Sequence, residues 1–112
     1  MALVLLVDGN NVMGSRPDGW WRDRAGAMQR LVNELDDLAE RTGEEIAVVF
    51  DGRERDLQAV RVRVAFAPHA DDAIAERAAP GVTVVTSDRE LAGRAAAGGA
   101  EVAGAGALLR RL

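Results

Sequence analysis

The sequence predicts an α/β domain in which a mostly parallel central sheet lies between two layers of helices. Short, continuous apolar runs, typical of strands buried on both faces of a parallel sheet, occur at residues 3–7, 46–50 and 82–85. Longer segments, whose apolar residues repeat with helical spacing, separate these runs. The chain has 112 residues, so we expect residues 1–112 to form one domain, because two separate cores would each be too small.

The first half of the chain predicts a strand, a long helix and two further strands. After the strand at 3–7, apolar residues between Met28 and Ala39 follow the i, i+3, i+4, i+7 pattern of an amphipathic helix, which Gly43 ends. The run at 46–50 is the second strand. Residues 60–66 alternate Val and Phe with Arg and Ala, which favours an edge strand with one wetter side.

The second half predicts three helices and two strands. Residues 71–79 are typical of a short helix ended by the Pro-Gly pair that follows. After the strand at 82–85, Ser87 and Glu90 have the spacing of a capping box, which predicts a helix through about residue 97. A brief strand at 101–103 and a last helical turn ending at Leu112 complete the order β-α-β-β-α-β-α-β-α.

The composition limits the chemistry that this chain can perform. It contains 14 Arg but no Lys, no Cys and no Tyr, which excludes P-loop, Schiff-base, thiol and zinc–cysteine chemistry. With 18 acidic residues and a net charge of -4, the chain does not hold nucleic acid mainly by bulk positive charge. Carboxylates remain as the catalytic groups, and local arginines or bound cations would have to meet an anionic partner.

No segment has the pattern of a membrane anchor or of an export signal. The apolar run at 1–7 stops at Asp8 without a charged leading region or a cleavage site, and no apolar run approaches the length of a membrane span. We therefore expect a cytoplasmic protein with no membrane partner.

Acidic residues fall where predicted strands end or helices begin. Asp8 follows the first strand, Asp51 follows the second, Asp88 follows the strand at 82–85, and Asp71 and Asp72 open a helix. Because the carboxyl ends of parallel strands meet at one edge of a sheet, we expect these side chains to converge. Crowded carboxylates repel one another unless a cation neutralises them, and Mg²⁺ or Mn²⁺ suits hard oxygen ligands. Such a site favours hydrolysis of a phosphodiester by metal-activated water.

Each acid also has a purely structural interpretation. The segments 8–11 and 51–52 contain the residue types that form turns. Asp71, Asp72 and Asp88 are also typical of helix caps or of first-turn acids that complement the helix dipole. These interpretations account for single residues but not for their joint placement.

Further candidates lie in the predicted loops. His69 could shuttle a proton or contact phosphate, although a solvent-facing loop histidine is the simpler interpretation. Trp20 and Trp21 could stack on the bases of a single strand or cover the end of the long helix, and we expect one of them to be buried. Among the loop arginines, Arg53 and Arg89 are the candidates for binding phosphates.

Four motifs occur in order along the chain, at residues 7–12 (VDGNNV), 48–52 (VVFDG), 70–74 (ADDAI) and 84–91 (VVTSDREL). Together they resemble the NYN domain, in particular its YacP-like branch, within the PIN-like nuclease superfamily. The resemblance covers nearly the whole chain, since residues 99–102 and the Leu-rich terminal segment also fit this branch. It implies a three-layer α/β/α PIN-like fold and metal-dependent ribonuclease activity.

The resemblance also implies roles for individual residues. Asp8 is similar to the metal ligand after the first strand, and Asn11 to the polar residue that orients this ligand or the ion. Asp71 and Asp72 resemble the family's paired acids, and Asp88 resembles the acid after the fourth strand. The implied catalytic set is thus these five residues, with Asp8, Asp72 and Asp88 as the metal ligands.

Two neighbouring residues complete the resemblance. Ser87 would support the site by capping the following helix. Asp51 is similar to the family's acid after VVF, without an assigned metal role. The segment between Asp51 and Asp71 is shorter than in many relatives, so a partner or a second copy of the chain could supply part of the substrate surface.

We therefore predict a Mg²⁺- or Mn²⁺-dependent endoribonuclease that hydrolyses single-stranded RNA, with Arg53, Arg89 and Trp20 contacting the substrate. The alternative is an RNA-binding or interaction module with the same fold and little or no turnover. A receiver-like phosphoacceptor would need a lysine that the chain lacks, and a carboxylate-based phosphatase would need an Asp-x-Asp pair after the first strand. The short chain and its Ala-rich helices are compatible with a homodimer.

Overall fold

A five-stranded parallel sheet forms the centre of the protein in the computed structural model, which describes residues 4–112. The strand order is β3-β2-β1-β4-β5, and every pairing among the described residues is parallel. The strands are β1 Val4–Asp8, β2 Glu45–Asp51, β3 Arg63–Ala67, β4 Val82–Val85 and β5 Glu101–Ala103. The predicted α/β class with a mostly parallel sheet is confirmed, and all five strands end at the same edge. Leu3, which we predicted as the first strand residue, lies outside the described residues.

Helices cover both faces of this sheet and give the predicted three layers. They are α1 Gly9–Gly14, α2 Arg24–Thr42, α3 Ala70–Arg77, α4 Arg89–Ala97 and α5 Ala105–Leu109, with a 3-10 turn at Trp20–Arg22. α1, α2 and α5 pack on one face, and α3 and α4 pack on the other.

The core has two halves, one on each face of the sheet, and alternate residues of a strand pack into opposite halves. Leu5 and Val7 of β1 pack with Leu35 of α2, whereas Leu6 packs with Ile74 of α3 on the opposite face. This alternation follows from the two-residue period of a strand, and it explains why the strand at 3–7 reads as continuously apolar. β1 lies at the centre of the sheet, so its carboxyl end is flanked by the ends of β2 and β4.

The edge strand β3 is shorter than predicted. Strand pairing begins at Arg63, and Val60 is 89% exposed. The Asp36 carboxylate of α2 accepts hydrogen bonds from the backbone N–H groups of Val60, Arg61 and Val62, at 2.9, 2.9 and 2.8 Å. These three residues therefore satisfy their donors on α2 instead of joining the sheet.

The capping-box prediction for Ser87 is wrong. Asp88 is the N-cap of α4, because its Oδ1 accepts from the N–H groups of Glu90 and Leu91 at 2.9 and 3.2 Å. The hydroxyl of Ser87 instead accepts from the N–H of Ala105, 2.9 Å away at the start of α5. Both Ser87 and Asp88 are good capping residues, and this contact with a distant segment decides between them.

Several helix limits also differ from the predictions. α1 was not predicted, because its sequence GNNVMG is made largely of turn-forming residues. α3 spans Ala70–Arg77 rather than 71–79, and α5 ends at Leu109 rather than Leu112. Within residues 4–112, no helix has the length and apolar character needed to cross a membrane.

Candidate active site

An acidic depression of about 390 Å³ lies at the carboxyl edge of the sheet, where β1, β2 and β4 end. Four carboxylates and two amides line it, and they belong to Asp8, Asn10, Asn11, Asp51, Asp71 and Asp88. The structure thus brings together acids from four separate predicted segments, as expected from the parallel sheet.

Asp8 is the buried member of this group. It is the last residue of the central strand and is only 8% exposed. Burial raises the pKa of the Asp8 carboxyl above its usual value, and the negative charges of Asp51 and Asp88 raise it further. A hydrogen bond from the Thr86 hydroxyl to Asp8 Oδ2, 2.9 Å long, opposes this shift in pKa.

Thr86 links Asp8 to Asp88 through a single hydroxyl group. Its Oγ1 donates to the Asp8 carboxylate and accepts from the backbone N–H of Asp88, 3.1 Å away. Thr86 is 2% exposed, so water cannot easily replace either partner. Sequence reasoning missed this residue, although a polar side chain immediately after an apolar strand, two residues before an acid, is the available signal.

The two consecutive asparagines at the start of α1 form hydrogen bonds with the end of β2 and with the loop after β4. Asn10 Oδ1 accepts from the N–H of Asp51, and Asn11 Oδ1 accepts from the N–H of Ser87, each at 2.8 Å. Asn11 therefore holds the loop that carries Asp88. Asn10 was not among the predicted site residues, since its partner lies far away in the sequence.

Only one of the paired acids at the start of α3 lines the depression. Asp71 does so, whereas Asp72 Oδ1 accepts from Arg94 Nη1 of α4 at 2.8 Å. The same nitrogen of Arg94 lies 3.9 Å from Asp71 Oδ2. The structure therefore brings Asp71, and not the predicted ligand Asp72, to Asp8 and Asp88.

The predicted substrate contacts lie outside the depression. Arg53 and Arg89 are exposed. Trp20 is partly buried and packs against the core, while Trp21 is 56% exposed, so the expectation that one tryptophan is buried is confirmed only in part, by Trp20. The two indole rings meet edge to face with centroids 6.0 Å apart. His69 is exposed just before α3.

The donor set suits a hard divalent cation that keeps part of its water shell. No three His, Asp or Glu side chains within residues 4–112 are close enough to form a ready-made metal cage. Mg²⁺ commonly takes only one or two carboxylates and retains several waters. Burial is the main cause of the raised pKa of Asp8, and the charges of Asp51 and Asp88 add to it; a bound cation would offset both effects.

Comparison with known proteins identifies the family. A model of the YacP-like NYN domain matches residues 5–112. Two crystal structures of Rae1 (YacP) from Bacillus subtilis are similar, the first of them a mutant form. The mutant has a TM-score of 0.83 and 28% identity, covering 98% of this chain and 74% of that chain. The second has a TM-score of 0.80 and 29% identity, covering 96% and 71%. No curated protein matches.

The fold and its acidic depression therefore define a nuclease-like domain of the NYN class. Within that class, the chain belongs to the YacP-like NYN family, as the sequence motifs predicted.

Proposed function

We propose that this protein is a metal-dependent ribonuclease that hydrolyses RNA phosphodiester bonds at the acidic depression. The observation that carries the proposal is the convergence of four carboxylates, one of them buried at the end of the central strand, on a nuclease-like fold. This arrangement needs no lysine, cysteine or tyrosine, in keeping with the composition.

One or two of Asp8, Asp71 and Asp88 would bind Mg²⁺ or Mn²⁺ directly, and the water molecules of the cation would link it to the remaining acids. The bound cation supplies activation of water and neutralisation of phosphate charge. Thr86 holds the Asp8 carboxylate and the backbone of Asp88 close together through its hydroxyl group, and Asn11 holds the same loop through the N–H of Ser87. Asp71 replaces Asp72 in this set, because Asp71 lines the depression whereas the Asp72 carboxylate lies outside it and bonds to Arg94.

Exposed groups around the depression would bind the RNA chain. Arg89 adjoins Asp88 and Arg53 follows Asp51 by two residues, so both can reach phosphates beside the acids. Trp20, or the more exposed Trp21, offers a ring for stacking an unpaired base. The depression opens to solvent, which suits cleavage within a chain.

Replacing Asp8 tests this proposal. We expect Asp8→Asn to lower the Mn²⁺-dependent cleavage rate of single-stranded RNA on the order of 100-fold or more, because several kcal/mol of charge stabilisation is lost. Cleavage is measured by gel analysis of a labelled RNA, and circular dichroism checks the fold. Wild-type-like rates in a folded Asp8→Asn variant would contradict the proposal.

The adjacent acids provide a matched pair of variants. We expect Asp71→Asn to slow cleavage more than Asp72→Asn, since Asp71 lines the depression while Asp72 pairs with Arg94. Both substitutions remove one charge from the same exposed helical turn. Equal losses of cleavage rate, or a larger loss for Asp72→Asn, would contradict the choice of Asp71 over Asp72 as a metal ligand.

A second candidate function is an RNA-binding module without turnover. The lack of a ready-made three-ligand metal cage within residues 4–112 favours it. RNA binding without metal-dependent products, across several single-stranded substrates, would support this alternative over the nuclease.

A further inference from the structure

Asp51 faces the acidic depression but uses its carboxylate to hold another element. It ends β2, and its Oδ1 accepts from the backbone N–H of Ala70 at 2.8 Å. Ala70 is the first residue of α3 and is 1% exposed. The bond thus joins a strand end to a helix start across a sequence separation of 19 residues.

The contact with Asp51 satisfies the first N–H group of α3, whereas the only hydrogen bond within residues 4–112 that a side chain of α3 accepts from its own first turn runs from the N–H of Asp72 to Asp71 Oδ1, at 3.0 Å. His69 occupies the N-cap position but gives the helix no side-chain capping hydrogen bond within residues 4–112. The first N–H groups of a helix need an acceptor from outside the helix, and a carboxylate also complements the positive end of the dipole. Asp51 supplies both at Ala70.

Asp51 is itself held from a third element. Asn10 of α1 accepts from the backbone N–H of Asp51 at 2.8 Å. A chain of two hydrogen bonds therefore runs from α1 through the end of β2 to the start of α3. The next residue of α3 is Asp71, which lines the depression.

We propose that Asp51 is a positioning residue, which Asn10 holds and which in turn fixes α3 so that Asp71 faces the depression. This role differs from that of Asp88, whose side chain caps the helix that directly follows it. The proposal rests on the proposed function only in that Asp71 then serves the nuclease site.

Asp51→Asn and Asp51→Ala test the proposal, because both remove the same charge and only Asn keeps an oxygen acceptor. We expect Asp51→Ala to lower kcat on the order of 100-fold, the scale of a misplaced catalytic group, and Asp51→Asn to recover most of that loss. Hydrogen exchange of the Ala70 amide, followed by NMR, should stay slow in Asp51→Asn and become fast in Asp51→Ala. Asp56→Ala, in the exposed loop after β2, is the control for folding and general charge.

Asn10→Ala provides a second variant that leaves the Asp51 carboxylate intact. We expect faster exchange of the Asp51 amide and a reduced kcat, whereas Asn33→Ala on the exposed side of α2 changes neither. Slow Ala70 exchange in Asp51→Ala would overturn the proposal. Equal kcat losses in Asp51→Asn and Asp51→Ala would also overturn it, because the charge would then matter and not the acceptor.

The same variants separate this inference from the proposed function. If the wild-type protein cleaves no RNA, the nuclease proposal fails. Mn²⁺ affinity, measured by paramagnetic broadening of amide signals, then replaces kcat. Weaker Mn²⁺ binding by Asp51→Ala than by Asp51→Asn, together with fast Ala70 exchange, supports the positioning role, and identical binding overturns it.

Discussion

Asp8 combines burial with negative charge at the end of the central strand. Its pKa is raised first by burial and then by the charges of Asp51 and Asp88. A carboxyl with a raised pKa binds its proton more tightly in the folded state than in the unfolded state. Its ionisation therefore destabilises the folded protein at pH values above the folded pKa, and this cost disappears as the pH falls toward the unfolded value.

This cost predicts that Asp8→Asn stabilises the metal-free protein at neutral pH while it removes activity. The amide oxygen can still accept from Thr86, so the variant loses the charge but keeps the hydrogen bond. We expect a higher Tm than wild type at pH 7 in a chelating buffer, with a difference that shrinks as the pH falls through the Asp8 pKa. Differential scanning calorimetry across this range measures it, and Asp56→Asn in an exposed loop is the control. A lower Tm for Asp8→Asn at pH 7 would contradict this account of the charge.

At the scale of elements, the site depends on how closely α1 follows β1. Gly9 starts α1 directly after Asp8, and a Cβ placed there would lie 2.5 Å from Phe50 Cδ1 and 2.9 Å from Val48 Cγ2. Phe50 and Val48 are fully buried, so neither side chain has space to move away. This close approach brings Asn10 and Asn11 within reach of the neighbouring strand ends.

We expect Gly9→Ala to destabilise the protein by about 1–3 kcal/mol, the usual cost of overpacking a core, and to reduce activity by displacing α1. Gly93→Ala is the matched control, because a Cβ there meets no atom of residues 4–112 within 4 Å. Because Gly93 lies in an exposed part of α4, we expect Gly93→Ala to stabilise the folded protein by about 0.5–1 kcal/mol. Urea unfolding measures both, and a neutral Gly9→Ala would show that α1 can move.

Most elements could be predicted because their signals are local. The strand at 82–85 and the long helix ended by Gly43 follow directly from apolar periodicity and from the left-handed conformation that glycine permits, with φ 74°. The start of β3 could not be predicted in this way. The first residue of β3 depends on Asp36 of α2, because its carboxylate accepts hydrogen bonds from the three backbone N–H groups just before the strand.

At the scale of the whole molecule, the net charge of -4 and the acidic depression limit how the proposed RNA substrate would approach. The carboxylates of the depression would repel phosphate unless cations occupied it, and the exposed Arg53 and Arg89, which are close in sequence to Asp51 and Asp88, would attract phosphate only at short range. Salt screens such interactions over about 10 Å at 0.1 M ionic strength. The proposed function therefore makes divalent cations part of the binding surface.

We expect Mg²⁺ to raise the affinity for single-stranded RNA several-fold at constant ionic strength, and Asp8→Asn to remove most of this dependence. Fluorescence anisotropy of a labelled RNA measures binding, with added monovalent salt as the control for screening. Affinity that is equal with Mg²⁺ and with a chelator would show that the arginines alone bind the RNA.

The sequence by itself determined the order of strands and helices along most of the chain, the long helix, the parallel sheet and the placement of several acids at one edge of it. These features arise from periodicity and residue type within short segments, and the four ordered motifs added the family. The tertiary structure decided that Asp71 rather than Asp72 lines the depression, that Asp88 rather than Ser87 caps α4, and that Asn10 and Thr86 belong to the site. Each of these choices depends on a hydrogen-bond partner from a different element, such as Arg94 or Ala105. Local sequence signals do not encode such partners, because only packing brings them together.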